Sequence, residues 1–336
     1  MMFSIKKYVF FSTVFILLFV AGVISTNKES YSLRTLENQD QKIEFFTPVI
    51  QKLIDKGIPY DFVIELIKDT SVNFNERYVQ VDVSLKKSSK PTTPSNSNIY
   101  QKLVNDDAVD KIVKFIQSNK TILDAVKDKY NVHPEILASL LWVETRHGEY
   151  LGNHQVVSVY LSLALADQDD FVEFNLKRNK DKLHPTKKDL VELKSKVIQR
   201  SKAKANWALN ELVSIYKNKD KFPTPITQIY GSWAGAFGIS QFIPSSFARW
   251  AKDGNNDGYY NLFDLDDAIH SAAHYLRNHG YGDTEKQKRK AIYSYNHSNT
   301  YVNTIILLAE RALEKIDKLE KIDTEQILPP LPLIGE

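Results

Sequence analysis

The stretch PEILASLLWVETRHG, residues 134–148, decides how the rest of the chain is read. Pro134 suits the opening turn of a helix, where the N–H it lacks would have no intrahelical partner. Ile136, Leu137, Leu140, Leu141 and Val143 then recur at helical spacing, and Gly148 marks the stop. Glu144 falls near the C-terminal end of this helix. There the negative end of the helix dipole and the apolar neighbours both oppose ionisation. Its pKa is therefore expected to rise, as a general acid near neutral pH requires. The plainer alternative is a surface acid paired with Arg146 or a lysine in solvent.

Working outward, 336 residues with 43% hydrophobic content suffice for one large core or two modest ones. A formal charge of +3 from 44 basic and 41 acidic side chains is too balanced for a nucleic-acid binder, so nucleic acid is excluded as a partner. The absence of cysteine excludes thiolate metal sites, disulfides, a Cys nucleophile and a lipid-modified Cys. Lys6 and Lys7 precede an apolar run over residues 8–24, the layout of a secretory signal. The chain is expected to be exported to the periplasm or cell envelope. Ala21, Gly22 and Ser25 make a poor cleavage site, so residues 1–25 are either a signal peptide or an N-terminal signal anchor to the inner membrane.

Two short helices are predicted between residues 41 and 69, from Ile43, Phe46, Ile50, Leu53 and Ile54 and then Phe62, Val63, Leu66 and Ile67, broken at Gly57-Ile58-Pro59. Val79, Val81, Val83 and Leu85 alternate and predict a strand over residues 78–85. Residues 88–98 contain no apolar residue and read as a loop or linker. Helical periodicity returns over residues 109–116, 122–130 and 190–216. The last lies in a Lys-dense stretch, residues 176–221, whose charge reads as a solvated face. His270 and His274 have i, i+4 spacing, but no HExxH accompanies them, and they read as ordinary helix-face histidines rather than a zinc pair.

A second motif, GSWAGAFGISQFIPSSFARWAKDGNNDGYYNLFDLDDAIHSAAHYLRNHGY, spans residues 231–281, and a third, AIYSYNHSNTYV, spans residues 291–302. Together with VETRHG they closely resemble the membrane-bound lytic transglycosylase B family of bacterial peptidoglycan-cleaving enzymes, over roughly residues 43–312. The resemblance implies a mainly α fold: a lysozyme-like helical core, a small strand-containing subdomain and a groove for a glycan strand. It divides the chain into an N-terminal helical and strand region with its loop (26–98), a catalytic region (99–317) with a Lys-rich helical insertion (about 176–221), and a C-terminal tail (318–336). Glu144 matches the family's acid/base, and Ser232, expected to hold the Glu144 carboxylate, joins Gln241, Tyr275, Tyr295, Asn296 and Tyr301 among the substrate-binding positions. Tyr275 and Tyr301 also suit core aromatics, and Ser232 also suits a turn cap. The glycines of GSWAGAFG form no phosphate loop, since no Gly-Lys-Ser/Thr follows; they read as tight turns and close approach to a sugar polymer.

By the same resemblance the partner is the peptidoglycan glycan strand, and no protein partner is identifiable. The motifs supply one carboxylate where ordinary glycosidases use two. Glu144 would then protonate the oxygen between N-acetylmuramic acid and N-acetylglucosamine, and afterwards deprotonate the C6 hydroxyl that closes a 1,6-anhydro ring. Glu149 is the nearest other carboxylate and is expected to face elsewhere. Within the second motif Asp253, Asn255, Asp257, Gly258, Tyr259, Asn261 and Asp264 match an EF-hand loop. Ca2+ is expected there in a structural role, on Asp253, Asn255, Asp257, Asp264 and the Tyr259 carbonyl. Asp264, shorter than the usual Glu, limits its affinity. The chain departs from the family at LALADQDD, where Asp167, Asp169 and Asp170 stand in place of basic residues. An inactive peptidoglycan-binding protein, a lysozyme-type muramidase and a calcium-sensing protein are the competing readings.

Overall fold

The computed structural model describes residues 38–85 and 103–327. The signal segment, the 88–98 linker and residues 328–336 of the C-terminal tail lie outside the described residues, while residues 318–327 of that tail are helical. Two units divide the described chain, each discontinuous in sequence: residues 103–149 with 272–327, and residues 38–85 with 150–271. Among the described residues no helix is long and apolar enough to cross a membrane.

The second of these units begins with α1 (Gln39–Asp55) and α2 (Tyr60–Lys68), separated by Gly57 at φ 82, as their broken periodicity predicts. α3 (Glu76–Val79) is a single turn capped by the Asn75 side chain. Here the predicted strand fails. Tyr78 and Val79 end a helix, and residues 80–85 run extended with no partner strand. Their backbone is held instead by side chains of α8 (Asp169–Leu183). Asn175 Oδ1 accepts from Val81 N–H at 2.8 Å and its Nδ2 donates to Val79 O at 2.9 Å. Asn179 repeats the pattern one turn on, with Val83 N–H and Val81 O at 3.1 and 2.8 Å. Two residues of extended chain advance about 6.6 Å and one i, i+4 step of a helix about 6 Å, so the two repeats register. The alternation correctly marks a buried face, Val81 being 2% exposed against Leu193 and Val197, but says nothing about what the backbone bonds to. Asn175→Leu is expected to lower unfolding free energy by about 2–4 kcal/mol in urea titration, because two buried backbone groups lose their partner.

The spine of this unit is α9 (Asp189–Lys217), which packs against α1, α7 (Val156–Leu163), α8 and α10 (Pro244–Trp250). The small sheet is β1 (His154–Gln155) antiparallel to β2 (Tyr230–Gly231), with His154 opposite Gly231. Beyond it Phe222 stacks on Phe247 at 4.2 Å, and Phe237 sits 5.7 Å from Phe247. The acids at which the sequence departs from the family pattern have structural partners. Asp167 pairs with Lys52 of α1 at 2.7 Å. Asp169 and Asp170 occupy the first turn of α8, where negative charge complements the helix dipole.

In the other unit α6 (Pro134–Thr145) is surrounded by α4 (Asp106–Ser118), α5 (Lys120–Tyr130) and α13 (Asn299–Ile327). Its residues from Ile136 to Trp142 are buried on every side, polar Ser139 included, which is why it shows little amphipathic bias. α12 (Glu285–Tyr295) opens on a reciprocal capping box between Thr284 and Gln287. The boundary between the units falls within α11 (Leu265–Asn278).

Candidate active site

Glu144 is the penultimate residue of α6, and the residues after Thr145 turn the chain off the helix. Arg146 and His147 both adopt left-handed φ, 50° and 59°, and Gly148 continues at 99°. Their amides satisfy the helix end, Arg146 N–H donating to Trp142 O and His147 N–H to Leu141 O. His147 holds the stop in place. Its ring stacks on Phe115 at 3.8 Å and its Nε2 lies 2.8 Å from Ala138 O. Burial lowers its pKa to about 4, so the ring is neutral and donates to that carbonyl. The Arg146 guanidinium lies over Trp142.

The Glu144 side chain is half-buried in its surroundings and receives a hydrogen bond on Oε1 from the hydroxyl of Tyr301, at 2.5 Å. Tyr301 is wholly buried on α13. The core-aromatic reading describes the ring of this tyrosine, and its hydroxyl holds the carboxyl. Desolvation raises the Glu144 pKa to about 7, and the Tyr301 hydrogen bond opposes that rise without cancelling it. Tyr301→Phe is therefore expected to move the alkaline limb of the pH–rate profile upward and to lower the maximal rate about tenfold, as an unheld acid loses alignment. An unchanged profile would contradict the role given to the hydroxyl. Glu149, by contrast, is exposed and sits 3.8 Å from Lys111.

Tyr275 and Tyr295 are brought together edge to face, 4.7 Å between centroids. The Tyr275 hydroxyl donates to Ser294 O at 2.6 Å, and burial raises its pKa. Its other face is stacked on His279 at 4.0 Å, a residue sequence reasoning missed; the signal was its i, i+4 spacing from Tyr275. Asn296 caps the end of α12 and is 5% exposed.

Ser232 and Gln241 belong to the other unit and serve its glycine loop. Ser232 Oγ accepts from Ala236 N–H at 3.1 Å, the turn-capping role allowed for it. Gln241 has φ 49, and its Nε2 donates to Gly238 O at 2.9 Å and Leu151 O at 3.4 Å. The glycines approach protein rather than open space. A Cβ on Gly235, at φ 83, would lie 2.5 Å from the Tyr160 ring, whose hydroxyl donates to the Gly235 carbonyl. Glu211, also missed from sequence, anchors the far side of this loop. Ser245 donates to its two oxygens from N–H and Oγ at 2.7 and 2.9 Å, and burial raises its pKa to about 7.

In the loop 253–264 the expected ligand oxygens turn inward. Asp253 accepts from Asp257 and Gly258 N–H, Asn255 from Asp257 N–H, Asp257 from Tyr259 N–H, and Asp264 from Asp266 and Asp267 N–H. Gly258 supplies the positive φ, 93°, expected at the sharp turn. Among the described residues no group of three or more His, Cys, Asp or Glu side chains converges to hold a metal, at this loop or at His270 and His274. The loop's donor chemistry, oxygen throughout, suits a hard cation.

Over residues 42–290 the chain matches the transglycosylase SLT domain, and it belongs to that family. It is 29% identical over 182 residues to membrane-bound lytic murein transglycosylase B of Escherichia coli strain K12, an alignment covering 54% of this chain and 41% of that relative. The chain thus spans about two fifths of that relative's length. The E. coli lytic transglycosylase Slt35 in complex with calcium has a TM-score of 0.58 at 20% identity, covering 82% of this chain and 93% of that one. SltB3 of Pseudomonas aeruginosa in complex with NAG-anhNAM-pentapeptide has a TM-score of 0.56 at 16% identity, covering 81% and 79%. The fold is thereby the mainly helical, lysozyme-like one expected, with a two-stranded sheet.

Proposed function

We propose that the chain is a lytic murein transglycosylase that cleaves the β-1,4 bond between N-acetylmuramic acid and N-acetylglucosamine, with Glu144 as the single acid/base. The observation that carries the reading is a helix-end carboxyl raised to about 7 and held by a buried tyrosine, in a chain of the transglycosylase family. At neutral pH a substantial fraction of such an acid is protonated, and its conjugate base is strong enough to take the proton back. Glu144 gives its proton to the departing oxygen while the muramoyl N-acetyl group stabilises the anomeric centre. The carboxylate then removes the C6 hydroxyl proton, and O6 bonds to the anomeric carbon. One C–O bond breaks, another forms, and no water enters. The ligand of the SltB3 complex, an anhydromuramoyl peptide, supports this product class.

Mass spectrometry of muropeptides from purified sacculi tests the reading. Soluble anhydro products are expected; products one water heavier would indicate a muramidase, and no soluble product a binding protein. The apolar run over residues 8–24 and the membrane-bound relative support export to the periplasm, with or without retention of the anchor.

We also propose that the 253–264 loop takes Ca2+ through Asp253, Asn255, Asp257, Asp264 and the Tyr259 carbonyl. Support comes from the spacing, the oxygen-only donors and the calcium complex of Slt35. The ion would offset the mutual repulsion of three carboxylates in one short loop. Addition of Ca2+ at a hundred times its Kd is expected to stabilise the fold by about 2.7 kcal/mol. A thermal melt unmoved by Ca2+ or by chelator would rule the site out.

A further inference from the structure

The Lys-dense stretch folds as the hairpin of α8 and α9, and the reaction proposed above makes no use of it. Between the two helices runs an open groove of about 950 Å³. Its apolar lining is Leu176 of α8 with Leu190, Val191 and Ile198 of α9, and Lys180, Lys194 and Lys202 also line it. We propose that this groove docks the hairpin onto an anionic lipid surface.

Two sets of basic groups on the hairpin differ in what they meet. Arg178 and Lys182 pair with Asp82 at 3.2 and 3.0 Å, while Lys196 and Lys204 donate to the carbonyls of Ser84 and Gln80. That set secures the extended segment 80–85. Lys180, Lys194 and Lys202 are exposed and, among the described residues, have no ion pair. Three unneutralised lysines around one groove call for an anionic occupant.

The lining decides which anion. It contains no aromatic ring, so it offers no platform on which a sugar would stack, and the glycan strand is a poor fit. Val191 is 78% exposed near the start of α9, out of place on a face meant only for water. Aliphatic side chains ringed by lysines match the boundary between acyl chains and phosphate headgroups, where the lysine stems lie along apolar surface and the ammonium groups reach outward. The apolar N-terminal run of the same chain is expected to bring it to a bilayer, and the hairpin adds a second, charge-selective contact.

The chain contains no cysteine, so Val191→Cys carries a single environment-sensitive fluorophore. The labelled full chain is mixed with vesicles of phosphatidylglycerol and phosphatidylcholine, or of phosphatidylcholine alone. Any insertion of the N-terminal run is common to both vesicles, so the difference between them reads the hairpin. A blue shift is expected on the anionic vesicles only, and about 0.5 M salt should remove it. Reversal by Lys180→Glu, Lys194→Glu and Lys202→Glu should lower the ratio of docked to undocked hairpin by more than fivefold per lysine, since each loses an attraction worth about fivefold and gains a repulsion. A milder set, Lys→Gln at the same positions, should give an intermediate loss, and matching thermal melts confirm that both variants fold. Equal shifts on both vesicles, a shift that survives charge reversal, or a response to sacculi in place of vesicles would overturn the proposal. None of these outcomes depends on glycan cleavage.

Discussion

Glu144→Gln leaves the sacculus uncut: release of soluble muropeptides is expected to fall about 10³-fold, the amide being nearly the same shape but unable to give or accept the proton. The same substitution should stabilise the protein. A carboxyl whose folded pKa is about 7, against an ordinary value of 4.5, binds its proton more tightly folded than unfolded. Its ionisation therefore costs stability progressively as pH rises through that window, and the whole cost is present above about 7. The Gln variant is expected to melt above wild type at alkaline pH, and the advantage should shrink as pH falls toward 4.5. Loss of activity accompanied by loss of stability at every pH would mean that Glu144 holds the fold rather than carries the chemistry.

Gly235→Ala is expected to unfold the glycine loop of the other unit. Its left-handed φ of 83° disfavours any side chain, and the new methyl group would sit 2.5 Å from the Tyr160 ring, far inside contact distance. Neither neighbour yields easily. Tyr160 is wholly buried and its hydroxyl holds the Gly235 carbonyl, so ring and loop would have to separate together. Backbone strain and overpacking together cost about 3 kcal/mol. Urea denaturation measures it, and a change below about 1 kcal/mol would show that the loop relaxes around the methyl group.

The long helices and the helix-end acid were legible because each rests on local pattern. Pro134 at the start, apolar residues on all sides and Gly148 past the end specify α6 and put Glu144 in its last turn. What the pattern could not carry was the identity of partners distant in the chain. Tyr301 reaches Glu144 across 157 residues, and Asn175 and Asn179 replace the neighbouring strand that the alternation of Val79 to Leu85 called for. Glu211 looked like one more charge on a charged helix until its burial against Ser245 set it apart. The glycines were correctly read as places of close approach, but the approaching groups are Tyr160 and Leu262 of the protein itself.

The proposed chemistry turns on the protonation of one carboxyl. Carbon-13 NMR of the chain labelled at glutamate side-chain carboxyls, titrated in parallel with Glu144→Gln, assigns that resonance by its disappearance from the variant. A midpoint near 7 for the missing resonance is expected, and removal of the Tyr301 hydroxyl should push it higher. A midpoint near the ordinary glutamate value, about 4.3, would mean that Glu144 is a carboxylate throughout the neutral range, and the acid step assigned to it would have no donor.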